Sequence, residues 1–115
     1  MVVDMTDAEI DLVFGALADS TRRSIIARVI VAEQSVSTLA SQYLVSFAAI
    51  QKHVAVLERA SLVRKQRRGR EQIVHGNPET LARAARLLDS YEEIWRQRTQ
   101  RIDAILAEEE THERN

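Results

Sequence analysis

The sequence predicts a mainly α-helical domain that carries one small two-stranded β hairpin and ends in a long helix. The 115 residues contain only three glycines and one proline, so few positions interrupt a helix. Apolar residues recur at helical spacing through most of the chain. The exception is the stretch LVRKQRRGREQIVH, which surrounds one glycine and has the composition of two short strands joined by a turn.

The first two helices are predicted from apolar faces and a cap between them. A helix at about 7–18 has one apolar face, formed by Leu12, Val13, Ala16 and Leu17. Asp19 or Ser20 then caps a second helix, whose apolar stripe is Ile25, Ile26, Val29 and Ile30.

Two shorter helices follow, separated by a brief break. Ser37 is predicted to cap a third helix over 38–43, with Leu39 and Ala40 turned inward. After Leu44 and Val45, Ser46 is predicted to cap a fourth helix that runs to about Ala60. Its core side carries Ile50, Val54 and Leu57.

The hairpin comes next, at about 62–76. Strands are predicted over 62–67 and 71–75, joined at Arg68-Gly69-Arg70, where glycine permits the positive φ of a tight turn. Asn77-Pro78-Glu79 then marks a helix start, because proline fits the first helical position and an acid suits the first turn.

The last helix is predicted to run from Glu79 to at least Ala107, which is about 29 residues or roughly 43 Å. A domain of this size cannot cover such a helix, yet one face stays apolar, with Leu81, Ala85, Leu88, Tyr91, Trp95, Ile102 and Leu106. The face is either a solvated helix surface or a self-association surface, and the aromatic residues favour self-association.

Composition excludes several classes of protein. The chain has no cysteine, which rules out disulfides, thiolate metal sites and cysteine nucleophiles. No secretion signal or membrane helix is visible in the sequence, so the cytoplasm is the expected location. No catalytic or phosphate-binding motif indicates an enzyme, and no cofactor is expected.

The net charge of −1 conceals a partition along the chain. Residues 1–21 hold five acids and no base, residues 22–75 hold ten bases and three acids, and residues 76–115 hold six bases and nine acids. A basic middle segment flanked by acidic ones is typical of a nucleic-acid-binding surface within a chain of neutral pI.

Two short helices, a tight turn and a two-stranded wing make a winged helix-turn-helix, here at about 37–60 and 62–76. The segments LADSTRR (17–23), STLA (37–40) and QKHVAVLERASLV (51–63) resemble the ArsR (SmtB-like) family of bacterial repressors, and the resemblance covers roughly 13–107. It implies a homodimer, paired through helices at about 7–18 and 79–107, that binds palindromic operators. The family usually has proline at the position of Ser20 and glycine at that of Ser61.

Metal sensing does not carry over from the resemblance. Many members of the family bind metal through cysteines on the helix before the recognition helix, where this chain has Ser37, Thr38, Ser41 and Gln42. Others use Asp and His on the last helix, and no histidine lies between Leu81 and Leu106. Near the end, Glu108 and His112 have i, i+4 spacing, which a frayed solvated tail explains better than a metal site. No metal is predicted.

Candidate DNA contacts lie on the fourth helix, the hairpin and the start of the third helix. Alanine can meet a thymine methyl, glutamine pairs with adenine, and lysine reaches guanine or phosphate. Arginines at a hairpin tip reach the backbone or the minor groove. The candidates are Ser37, Thr38, Ser46, Ala48, Ala49, Gln51, Lys52, His53, Arg59, Arg67, Arg68 and Arg70. Ser46 is equally well explained as a cap. A histidine placed like His53 is more often a buried hydrogen-bonding residue or a phosphate contact than a ligand.

The candidate dimer interface comprises Leu12, Val13, Leu88, Tyr91, Trp95, Ile102 and Leu106. The sequence thus predicts a homodimeric regulator, most simply a repressor, of double-stranded DNA with an inverted-repeat operator. The alternative is a helical dimerisation or protein-interaction module that keeps the winged fold without specific DNA binding. The sequence leaves open whether the effector is a small molecule or a protein, or whether there is no effector.

Overall fold

Five α-helices and three short strands form residues 4–114, the part of the chain that the computed structural model describes, with side chains described to residue 111. In chain order they are α1 (Asp7–Leu17), α2 (Ser20–Val31), β1 (Gln34–Ser35), α3 (Val36–Ala40), α4 (Phe47–Arg59), β2 (Val63–Arg68), β3 (Glu71–Gly76) and α5 (Pro78–Arg114). The prediction of a mainly helical winged helix-turn-helix with a long last helix is confirmed.

Side chains close the open N-termini of the helices. The Thr6 hydroxyl accepts from the Glu9 N–H at 3.1 Å, and Glu9 reaches back to the Thr6 backbone, which completes a capping box. Asp19 caps α2 by accepting from the Arg22 N–H at 3.0 Å. Of the two predicted caps Asp19 is therefore the correct one, and Ser20 is the first helical residue.

The start of α3 corrects the sequence prediction. The cap is Ser35, whose hydroxyl accepts from the Thr38 N–H at 3.0 Å, and Ser37 lies inside the helix. The helix ends at Ala40 rather than residue 43. Ser35 also closes β1, which pairs with β3 through Gln34–Val74 and Ser35–Ile73. A two-residue strand has no periodicity to read, so the sequence showed neither the strand nor the shift that it imposes on the helix.

The three strands form an antiparallel sheet in the order β1-β3-β2. The hairpin register runs from Val63 opposite Gly76 to Arg68 opposite Glu71, which leaves a two-residue turn of Gly69 and Arg70. Gly69 has φ +61°, as predicted for a tight turn. Arg68, predicted in the turn, belongs to the strand.

The end of α4 uses a left-handed residue to connect the helix to β2. Ser61 has φ +60°, and its N–H donates to the Glu58 carbonyl at 2.9 Å. The Leu62 N–H donates to the Leu57 carbonyl at 3.0 Å. These two bonds make a Schellman motif, whose left-handed position usually holds glycine. The Ser61 carbonyl in turn accepts from the Asn77 side-chain amide at 2.9 Å.

The core of residues 4–84 is formed by side chains from all five helices and from strands β2 and β3. Its largest members, all with no exposed surface, are Ile25, Leu39, Ile50, Leu57 and Leu62. The predicted inward positions Ile26, Val29 and Val54 are buried as well, but Ile30 is wrong, since 56% of it is exposed. Ile30 lies about 140° around the helix from Ile25, outside the face that the core can cover.

The chain divides into two compact units, one of residues 4–84 and one that begins at residue 85 and consists of the rest of α5 in the described chain. α5 has 37 residues, about 55 Å, and continues past Ala107, in agreement with the prediction of a helix to at least that residue. The prediction of one domain over 1–115 stays a prediction.

Candidate nucleic-acid interface

The exposed side of α4 carries small and polar residues, as predicted. Ala48, Gln51 and Lys52 are exposed, whereas Ala49 is half-buried. Ser46 acts as the cap of α4, since its hydroxyl accepts from the Ala49 N–H at 3.1 Å. Within the described part of the chain, the side chains of Gln51 and Lys52 have no hydrogen-bond or ion-pair partner. Their donors are therefore available to a ligand outside the protein.

A depression of about 250 Å³ forms where the starts of α3 and α4 meet the hairpin. Its wall includes Ser37, Phe47, Gln51, Lys65 and Arg70, which come from three separate elements. The fold thus brings together three of the predicted contact residues, one from each of α3, α4 and the wing. Thr38 is also exposed, but its N–H and its hydroxyl are both bonded to the Ser35 hydroxyl.

Phe47 is a residue of this surface that the sequence analysis missed. It is the first residue of α4, is 46% exposed, and lines the depression together with Ser37 and Gln51. Leu44 and Val45, in the turn before it, are exposed too. Three exposed apolar residues around the Ser46 cap are the signal that could have been noticed, because a turn is ordinarily polar.

The wing arginines differ in what they contact. The Arg67 Nε donates to the Gly69 carbonyl at 3.1 Å, which fixes the shape of the turn. Arg70 lies on the depression. Arg68 instead makes an ion pair with Glu33, with Nη1–Oε1 at 2.5 Å and Nη2–Oε2 at 3.3 Å. The hydrogen bond from Arg68 lowers the pKa of the Glu33 carboxyl, so this pair is ionised at neutral pH.

His53 is half-buried and lies beside the side chains of Arg22 and Asp19. Its Nδ1 lies 3.3 Å from Nη1 of Arg22 and 3.9 Å from Oδ2 of Asp19. Arg22 also donates to the carbonyls of Ala16 at 2.8 Å and Gly15 at 3.2 Å, so the cluster ties the end of α1 to α4. The Arg22 backbone N–H, followed by the charges of Arg22 and His53, lowers the pKa of the Asp19 carboxyl. His53 Nδ1 is therefore engaged within the protein, and the DNA contact considered for this residue stays a prediction.

Arg59 is exposed but lies at the far end of α4, about 18 Å along the helix from Phe47. It lines a small cavity of about 50 Å³ together with Met5, Glu9 and Arg83. The structure does not bring Arg59 to the depression.

The apolar face of α5 beyond residue 84 is exposed in the single chain. The predicted interface residues Leu88, Tyr91, Trp95, Ile102 and Leu106 are all about half exposed or more, and Ile94 and Ile105, which the sequence analysis missed, join them. Leu88, Trp95 and Ile102 are spaced by seven residues, the repeat of a coiled-coil seam. The Arg98 guanidinium lies 5.8 Å from the centre of the Trp95 ring and covers part of it.

The two α1 residues predicted at the interface differ in exposure. Leu12 is 43% exposed, whereas Val13 is 1% exposed and packs in the core of its own chain. Of these two residues, Leu12 is therefore the one with surface that another chain could contact.

Two further features bear on membranes and metals. No helix in residues 4–114 is long and apolar enough to span a bilayer. The described residues contain no group of three or more histidine, cysteine, aspartate or glutamate side chains that could hold a metal ion. The side chain of His112 lies outside the described residues, so the Glu108–His112 pair is not part of that statement.

Comparison with known proteins gives matches among solved structures. No protein-family model matches the chain, and no curated protein sequence does. An ArsR-like transcriptional regulator from Rhodococcus sp. RHA1 is 37% identical, with a TM-score of 0.77 over 85% of this chain and 92% of that one. A second structure, of an ArsR family transcriptional regulator, is 26% identical, with a TM-score of 0.75 over 80% and 95% of the two chains.

A third match shows the fold alone, at 18% identity. It is a homodimeric winged helix-turn-helix DNA-binding domain from Mycobacterium bovis, with a TM-score of 0.62 over 80% of this chain and 92% of that one. The matched regulators are not enzymes, in agreement with the sequence prediction.

Proposed function

Because the chain belongs to the ArsR family of transcriptional regulators, we propose that it acts as a homodimeric repressor that binds an inverted-repeat operator in double-stranded DNA. The observation that carries this proposal is the convergence of Ser37, Gln51 and Arg70 on one depression. A helix start, a recognition helix and a basic hairpin turn that open on one side are the parts with which a winged helix-turn-helix meets a duplex.

The α4 surface suits direct reading of bases in the major groove. Gln51 can form two hydrogen bonds with adenine, and Lys52 can reach guanine or phosphate. Phe47 and Ala48 are exposed apolar groups on the same helix turn, and a thymine methyl is the base group that such side chains contact. The recognition surface therefore centres on residues 47–52.

The wing and α3 supply contacts to the DNA backbone. Arg70 projects from the hairpin turn beside the depression, and a flexible basic side chain there can reach phosphate or the minor groove. Ser37, which is exposed and also lines the depression, offers its hydroxyl as a second phosphate donor. Ser46, Thr38 and His53 are occupied within the protein and serve mainly to shape this surface.

Dimerisation places two such surfaces on one operator. The exposed seam of α5 and the exposed Leu12 are the apolar surfaces in the described chain that a second copy would cover. A two-fold dimer reads an inverted repeat, since its symmetry repeats in the half-sites. The effector stays unassigned: the absence of cysteine excludes thiol sensing, which leaves a small organic molecule, a protein or no effector at all.

The first test is selection from a random duplex pool at moderate salt with metals chelated, followed by sequencing. An enriched inverted repeat is the expected result. A pool that stays random, also after addition of metals and cell extract, would favour the alternative, a helical interaction module without specific DNA binding.

The second test is Gln51→Ala on the selected operator. We expect a loss of about 1–3 kcal/mol at the preferred sequence and a relaxed preference at one base position, because a bidentate base contact is removed. Competition titrations with single-base operator variants measure both. Gln97→Ala, an exposed glutamine on α5 away from the seam, is the matched control. An equal loss on all sequences would remove Gln51 from base reading.

A further inference from the structure

One ion pair links the tip of the wing to the end of α2. Two nitrogens of the Arg68 guanidinium meet two oxygens of the Glu33 carboxylate, at 2.5 and 3.3 Å, across 35 positions of sequence. Glu33 lies in the corner between α2 and β1. A bidentate pair fixes the orientation of both groups, which a single contact does not.

The register shows that the Arg68 side chain runs back along the sheet. Arg68 stands opposite Glu71 at the turn end of the hairpin. Gln34 stands opposite Val74, so Glu33 is near the level of His75, four positions further from the turn. To reach Glu33, Arg68 therefore points away from the tip and crosses the central strand β3.

The Arg68 side chain also lies on the face of the sheet away from α4. Successive side chains of a strand point to opposite faces, so Arg68 shares a face with Gln66 and not with Lys65. Lys65 forms an ion pair with Glu58 of α4 at 3.5 Å, which identifies its face as the α4 side. Arg68 is thus turned away from the depression that holds Gln51.

The tip of the wing has few other attachments. β1 pairs with β3 at Ile73 and Val74, and nearer the turn the two long strands pair with each other alone in the described sheet. A two-stranded hairpin is marginally stable by itself. A contact from its last strand pair to a fixed corner of the domain therefore biases its position.

We propose that Glu33 and Arg68 are positioning residues for DNA binding: their ion pair holds the wing where Arg70 reaches the duplex, and Arg68 itself does not contact DNA. This role replaces the DNA contact that the sequence predicts for Arg68, and it rests on the proposed function. In the competing role, Arg68 itself binds a DNA phosphate, and its ion pair with Glu33 competes with that contact. The two roles predict opposite signs for the removal of Glu33.

The DNA-binding test uses four variants with neutral or exchanged charges. We expect E33Q and R68Q each to weaken operator binding about two- to fivefold, since an exposed ion pair is worth little. The double variant should be no weaker than either single one, and the exchange E33R/R68E should recover most of the affinity. Tighter binding by E33Q, or no recovery in the exchanged variant, overturns the proposal.

The second measurement needs no DNA. Hydrogen exchange of the backbone amides at 66–72 in the free protein should be about two- to fivefold faster in E33Q than in wild type. E92Q, which removes an exposed ion pair on α5, is the matched control and should leave these amides unchanged. If hydrogen exchange of the wing amides is unchanged in E33Q, the positioning role of the ion pair is overturned, even if the protein binds DNA. A protein that binds no duplex but shows the faster exchange refutes the proposed function alone.

Discussion

The left-handed Ser61 gives the sharpest stability prediction. A side chain at φ +60° brings Cβ close to the following carbonyl, which costs about 1–2 kcal/mol relative to glycine. Glycine loses part of this advantage because its unfolded chain is more flexible, by about 0.4–1 kcal/mol. No hydrogen bond of the Ser61 hydroxyl occurs among the described residues, so its removal costs nothing further. Ser61→Gly should therefore raise the free energy of unfolding by about 0.5–1 kcal/mol.

Urea denaturation at one fixed protein concentration measures this change, since the stability of a dimer depends on concentration. Ser61→Ala keeps Cβ and is the matched control, which should stay within about 0.5 kcal/mol of wild type. Operator affinity should not change, because Ser61 lies about 15 Å along α4 from Gln51. A less stable Ser61→Gly protein, or equal gains from glycine and alanine, would refute the explanation by backbone strain.

Three further predictions concern the wing, the start of α2 and the seam of α5. Arg70→Ala should lower the slope of log K for operator binding against log salt concentration by about 0.9, the value for the loss of one phosphate contact. The control Arg64→Ala, on the face of the sheet away from α4, should leave the slope unchanged. An unchanged slope in Arg70→Ala would exclude Arg70 from the interface. Ser20→Pro should raise the unfolding free energy by about 0.4–1 kcal/mol in denaturant titrations. Ser20 is the first residue of α2, and the residue before it has φ −119° and ψ 132°, a conformation that is favourable before proline. A less stable Ser20→Pro protein would show that the proline ring does not fit. Trp95→Ala should weaken the dimer by about 2 kcal/mol or more, which is a roughly 30-fold higher dissociation constant, in sedimentation velocity over a dilution series. Arg96→Ala, off the seam, should leave the dissociation constant unchanged. An unchanged dimer in Trp95→Ala would place the interface elsewhere.

Most elements of the fold were predictable because their causes are local. The caps Asp19 and Ser46, the turn glycine Gly69 and the helix-starting Pro78 act within a few residues of their own position. The apolar faces of α1, α2 and α4 likewise repeat within single helices. Such signals are present in the sequence before the chain folds.

The errors arose where contacts between distant segments decide the local structure. Ser35 rather than Ser37 caps α3, because β1 pairs with β3 almost 40 positions further along and sets where the helix can begin. Ile30 lies on an apolar stripe, but the core covers a narrower arc of α2 than the stripe offers. In both cases tertiary packing overrides a reasonable local pattern.

The sequence by itself determined the fold class, the basic hairpin, the cysteine-free chemistry and the candidate recognition residues of α4, since composition and short-range periodicity encode these properties. The tertiary structure alone decided which candidates share a surface. It gathered Ser37, Gln51 and Arg70 around one depression, placed His53 beside Arg22, and bound Arg68 to Glu33. The reason is physical: a side chain's contact partner depends on strand register and helix packing, which join residues that are far apart in the chain.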